Sequence, residues 1–162
     1  MTKRFQIATV LIMVIVTIGT LAILIFNPNT TDNTNVKGAT TPNCNNTAET
    51  EVTLSSGLKY QKLNSCDGEE LKEGKTASVH YVGTLLDGTK FDSSRDRGQP
   101  FDVVNVGKAG VIEGWNIGLI GMKLGEKRKL IIPPALGYGA QAQGSIPANS
   151  TLIFEVELLA IK

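Results

Sequence analysis

The chain has 162 residues, 41% of them apolar and 19% charged, with a formal charge of +1. That balance suits one modest globular domain plus a further segment, and it excludes a nucleic-acid binder that works through a basic face. With one histidine and two cysteines the chain lacks the ligands for a zinc site, so neither a metal nor another cofactor is expected.

The further segment is N-terminal. The run from Gln6 to Phe26, QIATVLIMVIVTIGTLAILIF, carries no charge over about twenty positions, enough for a helix to cross a hydrocarbon core of roughly 30 Å. Residues 1–6 are then a short cytoplasmic N-terminus and residues 7–26 a transmembrane signal-anchor helix. The run is longer than a signal-peptide core and no small-residue cleavage site follows it, so an uncleaved anchor is expected. No polar face interrupts it, which argues against a buried core helix. Lys3 and Arg4 precede the run and only Lys37 follows nearby, so the remainder of the chain is sent across the membrane, into a periplasm, a lumen or the exterior.

Residues 27–56 are dominated by Asn and Thr and have few large apolar side chains to offset the entropy of ordering. They are expected to form a disordered tether between membrane and domain. Asn-x-Ser/Thr sequons at Asn29, Asn45 and Asn149 bear carbohydrate only where the cell glycosylates its secretory cargo. The two cysteines are Cys44 in the tether and Cys66 beyond it. On the translocated side they could close a disulfide or stay as two free thiols.

Residues 57–162 must build their own core, and their pattern is rich in strands. Thr151 to Ile161, TLIFEVELLAI, alternates Leu152, Phe154, Val156 and Leu158 with Ile153, Glu155 and Glu157, the period of a half-buried antiparallel strand. Thr76 to Leu85 alternates similarly through Ala77, Val79 and Tyr81, and shorter strands are expected from Leu58, Phe101 and Arg128. Asp87-Gly88, Arg97-Gly98 and Leu124-Gly125 mark turns. One segment departs from this period. Ile112, Trp115, Leu119 and Met122 recur at helical spacing, which predicts a short helix packed on the sheet and an α+β domain. The stretch GVIEGW (110–115) puts the only tryptophan of the chain near the start of that helix.

Three blocks carry a resemblance: VHYVGTLLDGTKFDSSRDRGQPF from Val79, GVIEGWNIGLIGMKLGEKRKLIIPPALGYG from Gly110, and IPANSTLIFEVELLAI from Ile146. In order and spacing they resemble the FKBP-type peptidyl-prolyl cis-trans isomerases, the immunophilins that bind tacrolimus and rapamycin. The resemblance implies a curved antiparallel sheet wrapped around one short helix, with an apolar pocket between them. It implies that Tyr81, Asp92, Ile112, Trp115, Tyr138 and Phe154 act on the substrate, with Phe91, Arg97, Phe101, Val111 and Ile146 completing the pocket. Trp115 would be its floor, and the Ile112 N–H would bond a ligand carbonyl. Proline-containing polypeptides and macrolides are the implied partners.

The chemistry such a site must supply is modest. Partial double-bond character puts a barrier of roughly 18 to 20 kcal/mol in the way of X–Pro rotation, which takes tens of seconds or more unaided. A twisted amide has lost much of its charge separation, so an apolar, partly dry pocket favours it over the planar ground state. No bond is broken. His80, beside Tyr81 in a strand, is expected to be structural and supports no Ser-His-Asp arrangement. The run LGEKRK (124–129) is expected to be a solvated strand face.

Two departures from the family pattern stand out. One extra residue falls in DVVNV (102–106), where an enlarged strand bulge is expected. The loop after Tyr138, GAQAQGSIP, is about one residue shorter than in familiar cytosolic members, so an altered preference for the residue before proline is expected. The leading expectation is a membrane-tethered isomerase that assists the folding of translocated proteins. The alternative is a proline-segment binding module or chaperone that uses the same pocket, with turnover incidental.

Overall fold

The computed structural model describes residues 41–162, so the anchor expected over 7–26 and the first part of the tether lie outside the described residues. Among the described residues no helix is long and apolar enough to cross a membrane. In chain order the strands are β1 (Cys44–Asn45), β2 (Val52–Thr53), β3 (Lys59–Lys62), β4 (Ser65–Cys66), β5 (Ala77–Leu85), β6 (Lys90–Ser93) and β7 (Phe101–Val103). A helix α1 (Glu113–Gly118) follows, then β8 (Lys127–Ile132) and β9 (Leu152–Ile161).

The alternation read along the C-terminal strand organises the sheet. Leu152, Phe154, Val156 and Leu158 are buried, and so are Ala77, Val79 and Tyr81 of the neighbouring β5. β9 lies between β8 and β5 in the order β2-β3-β8-β9-β5-β6, and β7 pairs with the other edge of β5. Every pairing is antiparallel. The helix lies close against β8. A Cβ placed on Gly114 would come within 2.5 Å of Ile132, and one on Gly118 within 2.8 Å of Leu130, so only glycine permits this approach.

Several expectations are corrected. The apolar stripe Ile112, Trp115, Leu119, Met122 outruns the helix, which spans only Glu113–Gly118. Leu119 caps it, Gly121 turns the chain back with φ of 76°, and Leu119 and Met122 fill the core from the loop. Two glycines in six residues account for the brevity, since glycine weakens a helix by about 1 kcal/mol each. The strand from Phe101 stops at Val103. β5 and β7 pair without a shift, so there is no bulge there, and beyond Val103 the chain turns where Asn105 has φ of 62°.

The tether also ends earlier than Ser56. Cys44 and Cys66 form a disulfide and stand opposite each other in the β1–β4 pair, and β2 pairs with β3. Asn43 N–H donates to Asp67 Oδ1 at 2.7 Å, closing the same corner. A covalent bridge and backbone pairing order this segment, with Leu54 packed against the core at its end, and composition reports neither the bridge nor the pairing.

The LGEKRK run is not a solvated face either. Glu126 and Arg128 are 2% and 4% exposed. Arg128 Nε donates to Glu126 Oε1 at 2.7 Å, and its Nη1 donates to the carbonyls of Gly118 at 2.8 Å and Ile120 at 3.2 Å. The guanidinium also lies 4.6 Å from the centre of the Tyr60 ring. This pair satisfies carbonyls orphaned at the helix end, and Glu126 Oε2 completes it by accepting from Lys123 N–H at 3.0 Å.

Candidate active site

A cavity of about 730 Å³ opens between the sheet and α1. Tyr81 of β5, Phe91 and Asp92 of β6, Phe101 of β7 and Phe154 of β9 line it from the sheet. Val111 and Ile112 line it from the chain entering the helix, Trp115 from the helix, and Tyr138 and Ile146 from the β8–β9 loop. Residues from separate segments therefore converge as expected. Arg97 is absent from the wall itself and acts on it through Asp92 and Tyr81. Gly110, Gln143, Gly144 and Ser145 also line the cavity and were not among the expected site residues. The shortened loop after Tyr138 was the one signal pointing to the last three.

Trp115 is 4% exposed and the rings around it meet it edge-on. Centroid separations are 5.1 Å to Tyr81, 5.2 Å to Phe154 and 6.1 Å to Phe101, distances at which aromatic quadrupoles attract. Its indole Nε1 is buried without a partner among the described residues.

The polar rim is a closed triangle. The Tyr81 hydroxyl donates to Asp92 Oδ2. Arg97 Nη1 donates to Asp92 Oδ1 at 2.5 Å and Nη2 to the Tyr81 hydroxyl oxygen at 2.8 Å. The Ser93 N–H adds a bond to Asp92 Oδ1 at 2.8 Å. Partial burial opposes the charge on Asp92, yet the bonds from Tyr81, Arg97 and the Ser93 amide together outweigh it and hold the carboxyl below the usual carboxylate range. Burial, then the neighbouring Asp92, pushes the Tyr81 phenol up, and Arg97 only partly opposes them.

Local sequence explains how Tyr81 is held. Ser94 Oγ accepts from the Tyr81 N–H at 2.8 Å, and the Tyr81 carbonyl accepts from the Ser94 N–H at 3.1 Å and from Ser93 Oγ at 3.2 Å. The serines of FDSSRDR are thus buried struts for the tyrosine. His80 Nδ1 lies 3.0 Å from Ser94 Oγ, and Ser94 is fully buried, so that pair has no route to a substrate.

Ile112 precedes the helix with φ −59° and ψ 147°. Its carbonyl accepts from Trp115 N–H at 2.9 Å, and its own N–H has no acceptor among the described residues. Opposite it, Gln143 and Ile146 exchange N–H···O bonds of 2.9 Å both ways around Gly144, whose φ is 57°, making the β8–β9 loop a tight hairpin at the cavity edge.

The comparisons with known proteins agree with this geometry. The profile of the FKBP-type peptidyl-prolyl cis-trans isomerase family matches residues 67–159. The chain belongs to this family. FK506-binding protein 2 of Dictyostelium discoideum is 54% identical over 109 residues, covering 67% of this chain and 80% of the relative. FK506-binding protein 1A of Neurospora crassa is 57% identical over 108 residues, covering 65% and 89%. The crystal structure of FkpA from Escherichia coli superposes with a TM-score of 0.64 at 47% identity, covering 69% of this chain and 51% of that one.

The protein is a peptidyl-prolyl cis-trans isomerase, and the cavity presents groups suited to that reaction. A proline ring seated on the flat Trp115 face would be surrounded by apolar rings, where a planar amide loses more of its hydration than a twisted one. The free Ile112 N–H can hold a substrate carbonyl while rotation proceeds. The Tyr81–Asp92–Arg97 triangle fixes the polar side of the cavity in one arrangement before substrate arrives, so no reorganisation accompanies the twist.

Proposed function

We propose that this isomerase works on the translocated side of a membrane, tethered through its N-terminal segment, on X–Pro bonds of polypeptides that are folding after translocation. Residues 1–6 remain in the cytoplasm and residues 7–26 form the anchor. Rapamycin- and tacrolimus-type macrolides compete for the same cavity. The observation that carries the substrate reading is the aromatic floor of Trp115 beside the rigid Tyr81–Asp92–Arg97 rim. The uncharged run from Gln6 to Phe26 and the oxidised Cys44–Cys66 pair support the topology, because disulfides persist in oxidising compartments.

The test is cis-to-trans relaxation of Leu-Pro and Phe-Pro peptides by the full-length chain, with and without rapamycin. Acceleration abolished by the macrolide is expected. Trp115→Ala should weaken macrolide binding as well as stability, and unchanged binding in that variant would contradict the role given to the indole. Topology is read separately. Protease added outside intact cells or vesicles of known sidedness should reach a C-terminal tag and spare an N-terminal one if the C-terminus faces the protease; the reverse pattern on that face would overturn the orientation.

A further inference from the structure

Three consecutive lining residues, Gly110, Val111 and Ile112, come from a stretch with almost no bonding of its own. Among the described residues neither the N–H nor the C=O of Gly110 or Val111 is hydrogen-bonded, and the Ile112 N–H is free. A Cβ on Gly110 would meet nothing within 4 Å, so packing does not fix that residue either. Yet this stretch carries the free backbone N–H groups, with that of Ile112 next to the helix, that the cavity offers a substrate carbonyl from the helix side.

Val111 and Ile112 pack against the core, and a single side chain supplies the hydrogen bonds that hold the start of the stretch. Asn116, buried at 6% exposure on α1, accepts from Ala109 N–H through Oδ1 at 3.0 Å and donates from Nδ2 to Ala109 C=O at 3.2 Å. The amide thus pairs with one residue's backbone as a neighbouring strand would. Among the described residues Ala109 has no other backbone partner. Nδ2 also reaches Glu113 Oε2 at 3.4 Å, one turn back on the same helix. Leaving the Ala109 groups unpaired in a half-buried position would be costly, which makes the clamp a defined arrangement.

We infer that Asn116 is a positioning residue for isomerisation: by clamping Ala109 to the helix that bears Trp115, it sets Gly110–Ile112 and the free Ile112 N–H at the cavity wall. Asparagine is suited to this because it offers one acceptor and donors on a single planar group. Aspartate keeps the acceptor and loses the donor. A carbonyl held by Ile112 is gripped in the planar and the twisted states alike, so disturbing that grip falls on substrate binding.

The inference rests on the isomerase reading, and a wild-type chain without turnover would overturn that reading itself. With an active wild type, full-length Asn116→Ala should show a KM raised about tenfold with kcat within about twofold, as expected when one hydrogen bond's worth of binding is lost. Asn116→Asp should fall between the two, and rapamycin affinity should drop in step with KM. A merely structural role would lower the folded fraction, reducing kcat at unchanged KM; that result, or no change at all, would overturn the inference. A measurement on the unmodified chain stands even if the variants do not fold. By amide hydrogen exchange, Ala109 should be protected while Gly110 and Val111 exchange freely, and an Ala109 amide exchanging at the rate of Gly110 would sink the clamp.

Discussion

The Tyr81 hydroxyl donates to one oxygen of the Asp92 carboxylate, and Arg97 bridges both groups from outside the cavity wall. The three side chains come from β5, β6 and the loop after it. Arg97 and Asp92 are 51% and 42% exposed at the side chain, so their pairing adds little stability. Its value is geometric, since it leaves the phenol and the carboxylate one way to lie.

That arrangement predicts a graded effect of mutation. Tyr81→Phe removes the hydroxyl but leaves the Arg97–Asp92 pair, and kcat/KM should fall about threefold to tenfold. Asp92→Ala strands both partners and should cost more. Peptide assays in which Tyr81→Phe is the more damaging change would reverse the roles given to these residues.

The same bonds set a pH window. Folding lowers the Asp92 pKa, so the unfolded chain binds more protons there, and the stability this group contributes is present above roughly pH 4 and lost as pH falls through the folded value. Folding raises the Tyr81 pKa, so its contribution is lost as pH rises beyond roughly 10. Between these limits both groups keep the state that makes the bond. A pH profile of kcat/KM should be flat from roughly pH 5 to 9, and a step attributable to Asp92 or Tyr81 within it would contradict the network.

The disulfide should govern stability and spare catalysis. Cys44 and Cys66 are 22 residues apart, a loop whose closure is worth about 3 kcal/mol in the chain-entropy model. Reductant or Cys44→Ser should lower the melting temperature on the order of 10 °C. Neither cysteine lines the cavity, so kcat/KM measured well below the transition should stay within about twofold. A large fall in activity with no loss of stability would show that β1 communicates with the pocket.

The strands of the sheet were legible because a one-sided sheet writes its burial into the chain with period two, as in Leu152, Phe154, Val156 and Leu158. Helix length was not, because Leu119 and Met122 keep helical spacing after Gly118 has ended the helix. Order in residues 43–53 was hidden for a different reason: backbone pairing and a covalent bridge leave no apolar signature. The cavity lining was legible through family resemblance, since nothing in the spacing of Phe91, Trp115 and Phe154 says that they meet. Gln143 and Asn116 were missed because a polar residue in a loop or helix looks the same whether it faces water, a ligand or a backbone carbonyl.

Glu126 and Arg128 were misjudged on that ground, and they give a sharp prediction. Replacing one member leaves the other charged and buried, which typically costs 3 to 5 kcal/mol. Glu126→Leu and Arg128→Met should each lower the melting temperature strongly. The Glu126→Leu/Arg128→Met pair should lose less than the sum of its single changes, and strict additivity in a double-mutant cycle would show that the two do not act as a unit.

Gly83 makes room for the cavity's aromatic wall. It sits in β5 opposite Asp92 of β6 and Phe154 of β9. A Cβ there would stand 2.6 Å from the Phe91 ring and 2.9 Å from the Phe154 ring, closer than carbon atoms approach without movement. Those rings meet edge-on at 5.4 Å, so neither can withdraw without disturbing the other. Gly83→Ala should therefore push them into the space that proline occupies, lowering kcat/KM and macrolide affinity about tenfold or more, with an overpacking cost of about 1 to 3 kcal/mol in stability. Adding Phe91→Leu removes the nearer ring edge and should restore part of the affinity. Rapamycin binding by Gly83→Ala at wild-type strength would show that the rings relax away from the cavity, and that the glycine is not what sets its width.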